Sequence, residues 1–372
     1  MNWRGVADII MREVNPTISF GGDVRVAKPL PTRLKNSALG LFQGSNEVVV
    51  NLEAPATDAA LPQSRKWAVL KQSPAVIGQL KTAGVTIFHL ANNHMMDYGA
   101  KGLTDTLRTI DSAGVSRIGA GVDAEEAFRP VIKTLPGGIR AGFIGVSCTN
   151  PPGSGATKLS PGVAAINVHS WFYVENSFLL ENPGTPPIVV SKVSQKDLNF
   201  VGRLVRSVKN TVDFLAVTVH WGVPFQEYVV DYQVELGHAL IDWGADLIVG
   251  HHTHTIQAVE MYKSKPIFYG IGHLMFTLKG YRRTLNSPIN PFPPNVGHWG
   301  MSPSNLIVSV KFRDNMPAYR IHFAYCQSDN PPILLTGRQL VDEFTKLRVI
   351  SKRFGANFAM EDDGAVDVLA KH

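Results

Sequence analysis

Three histidines stand within four positions in "GHHTH", residues 250–254, directly after the apolar run "ADLIV". A packed core has no use for three imidazoles at that point, whereas a divalent metal or a phosphate-like anion does. The pattern recurs along the chain. Asp23 follows "TISFGG", and Asn51 and Glu53 close "EVVVNLE". Asn92, Asn93, His94 and Asp97 follow "VTIFHLA", and His220 ends "DFLAVTVH". Five apolar runs therefore end in carboxylates, amides or imidazoles.

Asp, Glu, Asn and His together form a hard-to-borderline donor set, suited to Mn, Fe or Zn. Two such ions about 3.5–4 Å apart share a nucleophile and clamp both oxygens of a displacement. That chemistry needs a bridging carboxylate, terminal imidazoles and neighbours that fix the ring tautomers. Asp23 and Glu53 can supply the carboxylates, His220, His252 and His254 the imidazoles, and Asn93 an amide oxygen. Each residue taken singly has a plainer reading. A histidine at a strand end is commonly a hydrogen-bonded structural residue. Asn92 and Asn93 suit a turn that tolerates left-handed backbone, and Asp97 suits a helix cap. The five strand ends taken together favour a metal site.

The elements that must carry these residues follow an α/β rhythm, with short apolar runs alternating with amphipathic segments of helical length. The spacing predicts strands at 17–20, 47–51, 85–90, 140–147, 213–219, 246–250 and 266–270. It predicts helices at 73–83, 100–113, 195–209, 231–243 and about 336–352, the last followed by a polar tail. In such a sheet the carboxyl ends of the strands line one edge, where ligands bind, so residues distant in sequence converge. Residues 150–164 read as loop, and 278–304, rich in Pro and Gly, as a long excursion of the kind that often serves function. The expected organisation is an N-terminal segment 1–16, one α/β domain over 17–330, and a C-terminal helical extension over 331–372.

Composition narrows the partners. The chain has 372 residues, 44% hydrophobic, with 36 Lys and Arg against 30 Asp and Glu. Its pI is about 9.2 and its mean hydropathy +0.01. The basic residues are scattered and not interleaved with aromatics, so nucleic acid is not expected. An anionic small molecule or polymer is the expected substrate, and a homo-oligomer is compatible with the sequence. Cys148 and Cys326 lie in apolar stretches without metal-ligand spacing and read as buried thiols. No run approaches the ~18 apolar residues of a membrane span. The first residues lack the uninterrupted apolar core of a signal peptide, so the expected location is cytoplasmic. Among the remaining histidines, His89 lies inside an apolar strand and reads as a satisfied core residue. His238 falls in a helix, and His169 and His322 have no polar company in sequence. His298, in a second "HWG" within the long excursion, is a candidate substrate contact.

The segments "GGDV", "NLEAP", "ANNHMMDYG", "HWG", "GADLIVGHHTHTIQ" and "PIFYGIGH" occur in the order found in the CapA/PgsA family. The chain resembles these bacterial capsule and poly-γ-glutamate synthesis proteins over about residues 17–276. The resemblance implies a calcineurin-like metallophosphoesterase fold, a four-layer α/β/β/α sandwich with one or two metal ions at the strand ends. It implies Asp23 as the first metal carboxylate, Glu53 as the bridge, Asn93 as a ligand, His220 and His252 on one ion and His254 on the other. His94 would face the substrate, with Asp97 orienting it. Two positions depart from the pattern. Arg25 stands where a histidine ligand is usual, and is expected to hold an anionic group of the substrate. His273 stands where an Asn is usual, and is expected to be a replacement ligand or, with His251 and Asn92, a substrate contact. The implied activity is hydrolysis or transfer at a phosphoester or γ-glutamyl-type amide by metal-activated hydroxide. The alternative is a non-catalytic component of polymer synthesis or export that binds anionic polymer.

Overall fold

The computed structural model describes residues 15–30, 37–62, 66, 68–174, 176–185, 187–277, 282–283, 302–327 and 330–369. In chain order, the elements that matter below begin with β1 (Thr17–Arg25), β2 (Glu47–Leu52), α1 (Ala75–Thr82), β3 (Ile87–His89), α2 (Gly99–Ser112) and β4 (Ser116–Ile118). Next come β5 (Val131–Thr134), β6 (Arg140–Ser147), α3 (Gln195–Lys209), β7 (Phe214–His220), α4 (Asp231–Asp242) and β8 (Leu247–His251). They are followed by β9 (Val259–Tyr262), β10 (Lys265–Phe268), β11 (His273–Phe276), β12 (Ser304–Arg313), β13 (Met316–Gln327) and β14 (Asn330–Leu334). The chain closes with α5 (Gly337–Ser351), β15 (Asn357–Met360) and β16 (Val366–Leu369).

The architecture is mixed α/β with two large sheets. One runs β15-β16-β13-β12-β1-β2-β3-β4, with β11 also pairing β1 and β14 pairing β13. Its half from β1 to β4 is parallel, and β12 joins β1 antiparallel. The other runs β9-β10-β8-β7-β6-β5, parallel through its centre with antiparallel edge strands. Central strands buried on both faces read as continuous apolar runs, which is why "FLAVTV" and "LIVG" carry almost no alternation.

Side chains of the two sheets meet in one apolar cluster. Phe20, Val49 and Ile87 of the first pack there with Phe143, Ala216, Val249 and Phe268 of the second. The alternate residues of the same strands, such as Val48, Val50, Val217 and Val219, pack with the apolar stripes of the helices. Those stripes repeat at helical spacing: Leu103, Leu107 and Ile110 in α2, and Leu198, Val201, Val205 and Val208 in α3.

The residues after α5 depart from the expected polar tail. β15 and β16 form a hairpin, and β16 pairs with β13, extending the first sheet at its edge. Val366 and Val368 are buried while Asp367 is half-buried and paired with Arg320, the period-two signature of a strand. The signal spans only four residues beside the acidic turn "EDDG", which masks it. Leu340 and Leu347 of α5 pack into the same cluster that joins the sheets.

Strand bounds also move. β1 runs on through "GGDVR" instead of stopping at Phe20, because the two glycines remain in the sheet. A Cβ at Gly22 would lie 2.1 Å from the Gly272 carbonyl oxygen, so the backbones of β1 and the segment before β11 touch there. Pairing registers shift on both sides of this point, between Gly21 and Asp23 against β2 and between Asp23 and Val24 against β11. Such a bulge re-aims a side chain at the end of a strand, here that of Asp23.

Candidate metal centre

Strand register brings the predicted residues together. Asp23 pairs with Asn51 across β1 and β2 and with His273 across β1 and β11, while Asn51 pairs with His89 on β3. In the second sheet His220 pairs with His251. The two edges meet: Asn51 Nδ2 lies 3.2 Å from His220 Nδ1 and donates to Asp23 Oδ1 at 2.8 Å. A second tie joins the sheets through Thr218 Oγ1, 2.7 Å from His89 Nδ1.

Glu53 lies at the middle of the cluster. Its Oε1 is 3.5 Å from His220 Nε2 and 3.7 Å from His254 Nε2. His254 Nδ1 is 3.3 Å from Asp23 Oδ2, and His251 Nδ1 is 3.4 Å from Asp23 Oδ1. Two sets of three donors, each mutually within 4.8 Å, have the geometry to hold an ion: Glu53, His220 and His252, and Asp23, Glu53 and His254. Glu53 is common to both, so one carboxylate can bridge two ions.

Whether these residues suit a metal can be tested on their hydrogen bonding. Buried polar atoms are nearly always paired, because an unpaired one loses its hydration without replacement. Here, among the described residues, Glu53 Oε1 and Oε2, His251 Nε2, and Nδ1 of His252 and His273 are buried without a hydrogen-bond partner, and Nδ1 of His251 and of His254 face only Asp23 oxygens at 3.4 and 3.3 Å. Orphaned donors of metal-ligating type, gathered at one place, fit a cation.

Electrostatics agree. Burial, followed by the charge of Asp23, raises the Glu53 carboxyl well above its usual range. Burial would raise Asp23 too, but His251 and His254 outweigh it and hold that carboxyl well below the ordinary value. Burial, with neighbouring His254, lowers His252 to about 3 and His273 to about 4. His220 is depressed by burial and by His252. These three imidazoles are thus neutral at pH 7, the form that binds metal.

The backbone at "GHHTH" is strained to achieve this. His252 and His254 have φ of 86° and 52°, in the left-handed region that non-glycine residues rarely adopt. Strain of this kind concentrates at functional sites. Phe276 and Phe225 flank the His254 ring at centroid distances of 4.6 and 5.7 Å.

The other predicted residues take distinct places. Asn93 Oδ1 lies 3.0 Å from His220 Nε2, at the rim of the first donor set. Asn92, expected at the substrate, is fully buried; its amide donates to Asn51 Oδ1 and the Leu52 carbonyl, and its Oδ1 accepts from the His94 amide. His94 Nδ1 sits 2.7 Å from Asp97 Oδ2, and Leu70 N–H donates to the same oxygen. Arg25 is buried. One of its guanidinium nitrogens donates to the Thr277 carbonyl and another lies 3.4 Å from the Lys71 carbonyl, so it meets backbone at this end of β1. His251 is buried, stacked at 5.5 Å on His89. His273 is 4% exposed, its ring edge-on to His254 at 5.9 Å. His89 is the satisfied core histidine expected, with the Ala91 carbonyl at 2.8 Å as its other partner. His298 lies outside the described residues, as do 278–281 and 284–301. Arg282–Arg283 pairs with Ala68–Val69.

Lys66 escaped the sequence reading. Its ammonium lies 2.6 Å from Asp97 Oδ1 and 3.1 Å from His94 Nδ1, and donates to the Asn93 carbonyl. With Asn93, Asp97 and Pro151–Ser154 it lines a cleft of about 550 Å³ beside the centre. A single lysine in the polar stretch "PQSRKW" has no periodic or motif signal to mark it.

Comparison with known proteins now bears on the chain. The family described as bacterial capsule synthesis protein PGA_cap matches residues 17–278. The chain belongs to this CapA/PgsA family. Within it, the capsule biosynthesis protein CapA of Bacillus anthracis is 30% identical over 286 residues, 76% of this chain and 61% of that protein. The PGA biosynthesis protein CapA of Bacillus subtilis is 29% identical over 250 residues, 67% of this chain and 58% of its own. A probable polyglutamine synthesis accessory protein of Mycobacterium tuberculosis is 27% identical over 279 residues, 73% of this chain and 67% of its own. This CapA/PgsA-family chain thus spans about three-fifths of the length of its two Bacillus relatives. Among its described residues, no helix is long and apolar enough to cross a membrane.

Proposed function

We propose that the chain is a metal-dependent hydrolase, or a related transferase, acting on a phosphoester or a γ-glutamyl-type amide of an anionic substrate. In this reading the two sheets and their helices form the four-layer sandwich of metallophosphoesterases. The observation that carries it is Glu53, a buried carboxylate with neither oxygen hydrogen-bonded among the described residues, shared by two three-donor sets. A buried carboxylate in that state costs several kcal/mol unless it is protonated or neutralised by a cation.

Asp23, Glu53 and His254 would hold one ion, and Glu53, His220 and His252 the other, with Asn93 at the rim. Mn, Fe or Zn bound there would supply Lewis acidity and an acidified water. The chain's own residues do the rest. Asn51 fixes the Asp23 carboxylate and faces His220. Asp97 orients the His94 ring, which would stabilise the anion that develops during attack or protonate the leaving group. The cleft beside Asn93 would admit the substrate, with His273 as a further contact. Arg25, expected to hold the substrate's anionic group, would instead serve the site by tying the end of β1 to Thr277 after β11.

A second reading is supported by the names of the relatives, which include accessory proteins of polymer synthesis. In it the same pocket binds anionic polymer without turning it over. The two separate on one experiment: metal-reconstituted protein assayed against chromogenic phosphoesters and γ-glutamyl-p-nitroanilide, with poly-γ-glutamate binding measured in parallel. Turnover abolished by His252→Ala supports the hydrolase. Polymer binding by metal-free protein, with no turnover in any form, supports the binding role.

A further inference from the structure

Asp97 is 1% exposed, and a buried carboxylate needs every lone pair met. Its Oδ2 receives the Leu70 amide and faces His94 Nδ1, while its Oδ1 faces only an ammonium, that of Lys66 at 2.6 Å, among the contacts of the described residues. The same ammonium reaches the Asn93 carbonyl and lies 3.1 Å from the His94 ring. One cation therefore touches three residues of a single turn, "NHMMD", whose first member reaches His220 and lines the cleft. It does so from a separate segment of chain, with its side chain 20% exposed toward that cleft.

We propose that Lys66 is a positioning residue of the site: it braces the Asn93–Asp97 turn and so fixes the His94 ring toward the substrate. The proposal rests on the hydrolase reading for its kinetic consequence only. An ammonium suits the task because it can donate at one point to both the Asp97 carboxylate and the Asn93 carbonyl beside the His94 ring, whereas the planar fork of an arginine would meet them in a different geometry. Contacts at hydrogen-bond distance join Lys66 to the turn, and it acts on Glu53 through its charge, so its removal should leave the ions in place and loosen the ring. A misplacement of about 1 Å in a group facing the reacting centre costs on the order of 100-fold in rate.

The test compares wild type, Lys66→Met and Lys66→Arg. Metal equivalents by elemental analysis should be equal in all three. The ring nitrogens of His94, followed by ¹H–¹⁵N NMR on ¹⁵N-histidine protein against a His94→Gln assignment control, should show one fixed tautomer in wild type. In Lys66→Met they should become exchange-averaged. On any phosphoester that wild type hydrolyses, kcat of Lys66→Met should fall by about 10- to 100-fold with KM within about threefold, and Lys66→Arg should recover part of the loss. If the ring signals of Lys66→Met match wild type, the proposal is overturned, as it is if that variant loses its metal. Absence of turnover in wild type would sink the hydrolase reading and leave the NMR comparison to decide on Lys66.

Discussion

His220 Nε2 lies 3.5 Å from Glu53 Oε1, and the two fully buried side chains come from different sheets. The contact places the centre at the seam where the carboxyl ends of β2 and β7 meet. Each sheet supplies part of each donor set, so neither sheet alone could bind an ion through these residues. This makes the centre a reporter on how the two halves of the fold are joined.

The two donor sets differ in their histidines. His252→Ala should remove the ion held with Glu53 and His220 while sparing most of the other, and His254→Ala should do the reverse. Metal-to-protein ratios after reconstitution, read beside wild type, would check this. Loss of both ions from each variant would argue for a single, cooperatively filled site.

Metal uptake should release protons. Glu53 is raised well above the ordinary carboxyl range by burial and by Asp23, so in metal-free protein it holds its proton to unusually high pH. A ligating carboxylate has lost that proton, whereas His252 is already neutral. Addition of Mn or Zn should therefore release the proton that Glu53 holds, read with an indicator dye in weak buffer. Glu53→Gln should suppress the release.

Acid should destabilise the metal-free protein earlier than carboxylate titration alone would. His94 and His273 are lowered to about 4 and His252 to about 3, in each case first by burial. Their folded values lie below the unfolded value of about 6.5, so the stability they contribute is complete above that pH. It declines as pH falls from about 6.5 toward 4 and 3. Glu53, raised in the folded state, runs the other way: its contribution is complete below its unfolded value and lost as pH rises through the folded one. Urea midpoints between pH 7.5 and 5, above most carboxylate titration, should fall with pH, and His273→Gln should flatten the slope.

The close approach at Gly22 gives a backbone test. Its Cβ would lie 2.1 Å from the Gly272 oxygen, a contact that neither main chain can relieve without moving. Gly22→Ala should cost about 1–3 kcal/mol in a denaturant melt. It should also weaken metal binding, because Asp23 follows directly and its aim depends on the bulge. An alanine at Gly114, which has open space around it but φ of 67°, should cost stability without touching the metal.

Much of this was legible in the sequence for a physical reason. Central parallel strands are apolar throughout, so the polar residue that ends each one stands out, and Asp23, Glu53, His220, His252 and His254 were all found that way. Helices α3 and α4 were legible from their 3.6-residue stripes. What escaped has no period. Lys66 stands in a polar stretch of sequence, and the β15–β16 hairpin is too short to display alternation beside an acidic turn. Asn92, Arg25 and His251 have the residue types of substrate contacts, and sequence cannot tell a side chain that faces a ligand from one that turns to the backbone or the layer beneath. The bulge at Gly21–Asp23 depends on a contact with Gly272, some 250 residues away.

The central claim is that Glu53 bridges two ions. Elemental analysis of reconstituted wild type beside Glu53→Gln tests it directly, since the substitution preserves shape and removes only the charge. The account predicts two equivalents of Mn, Fe or Zn in wild type and a loss of both in the variant, with the fold intact by circular dichroism. Wild type that stays metal-free after reconstitution, or a variant that keeps both ions, would contradict it.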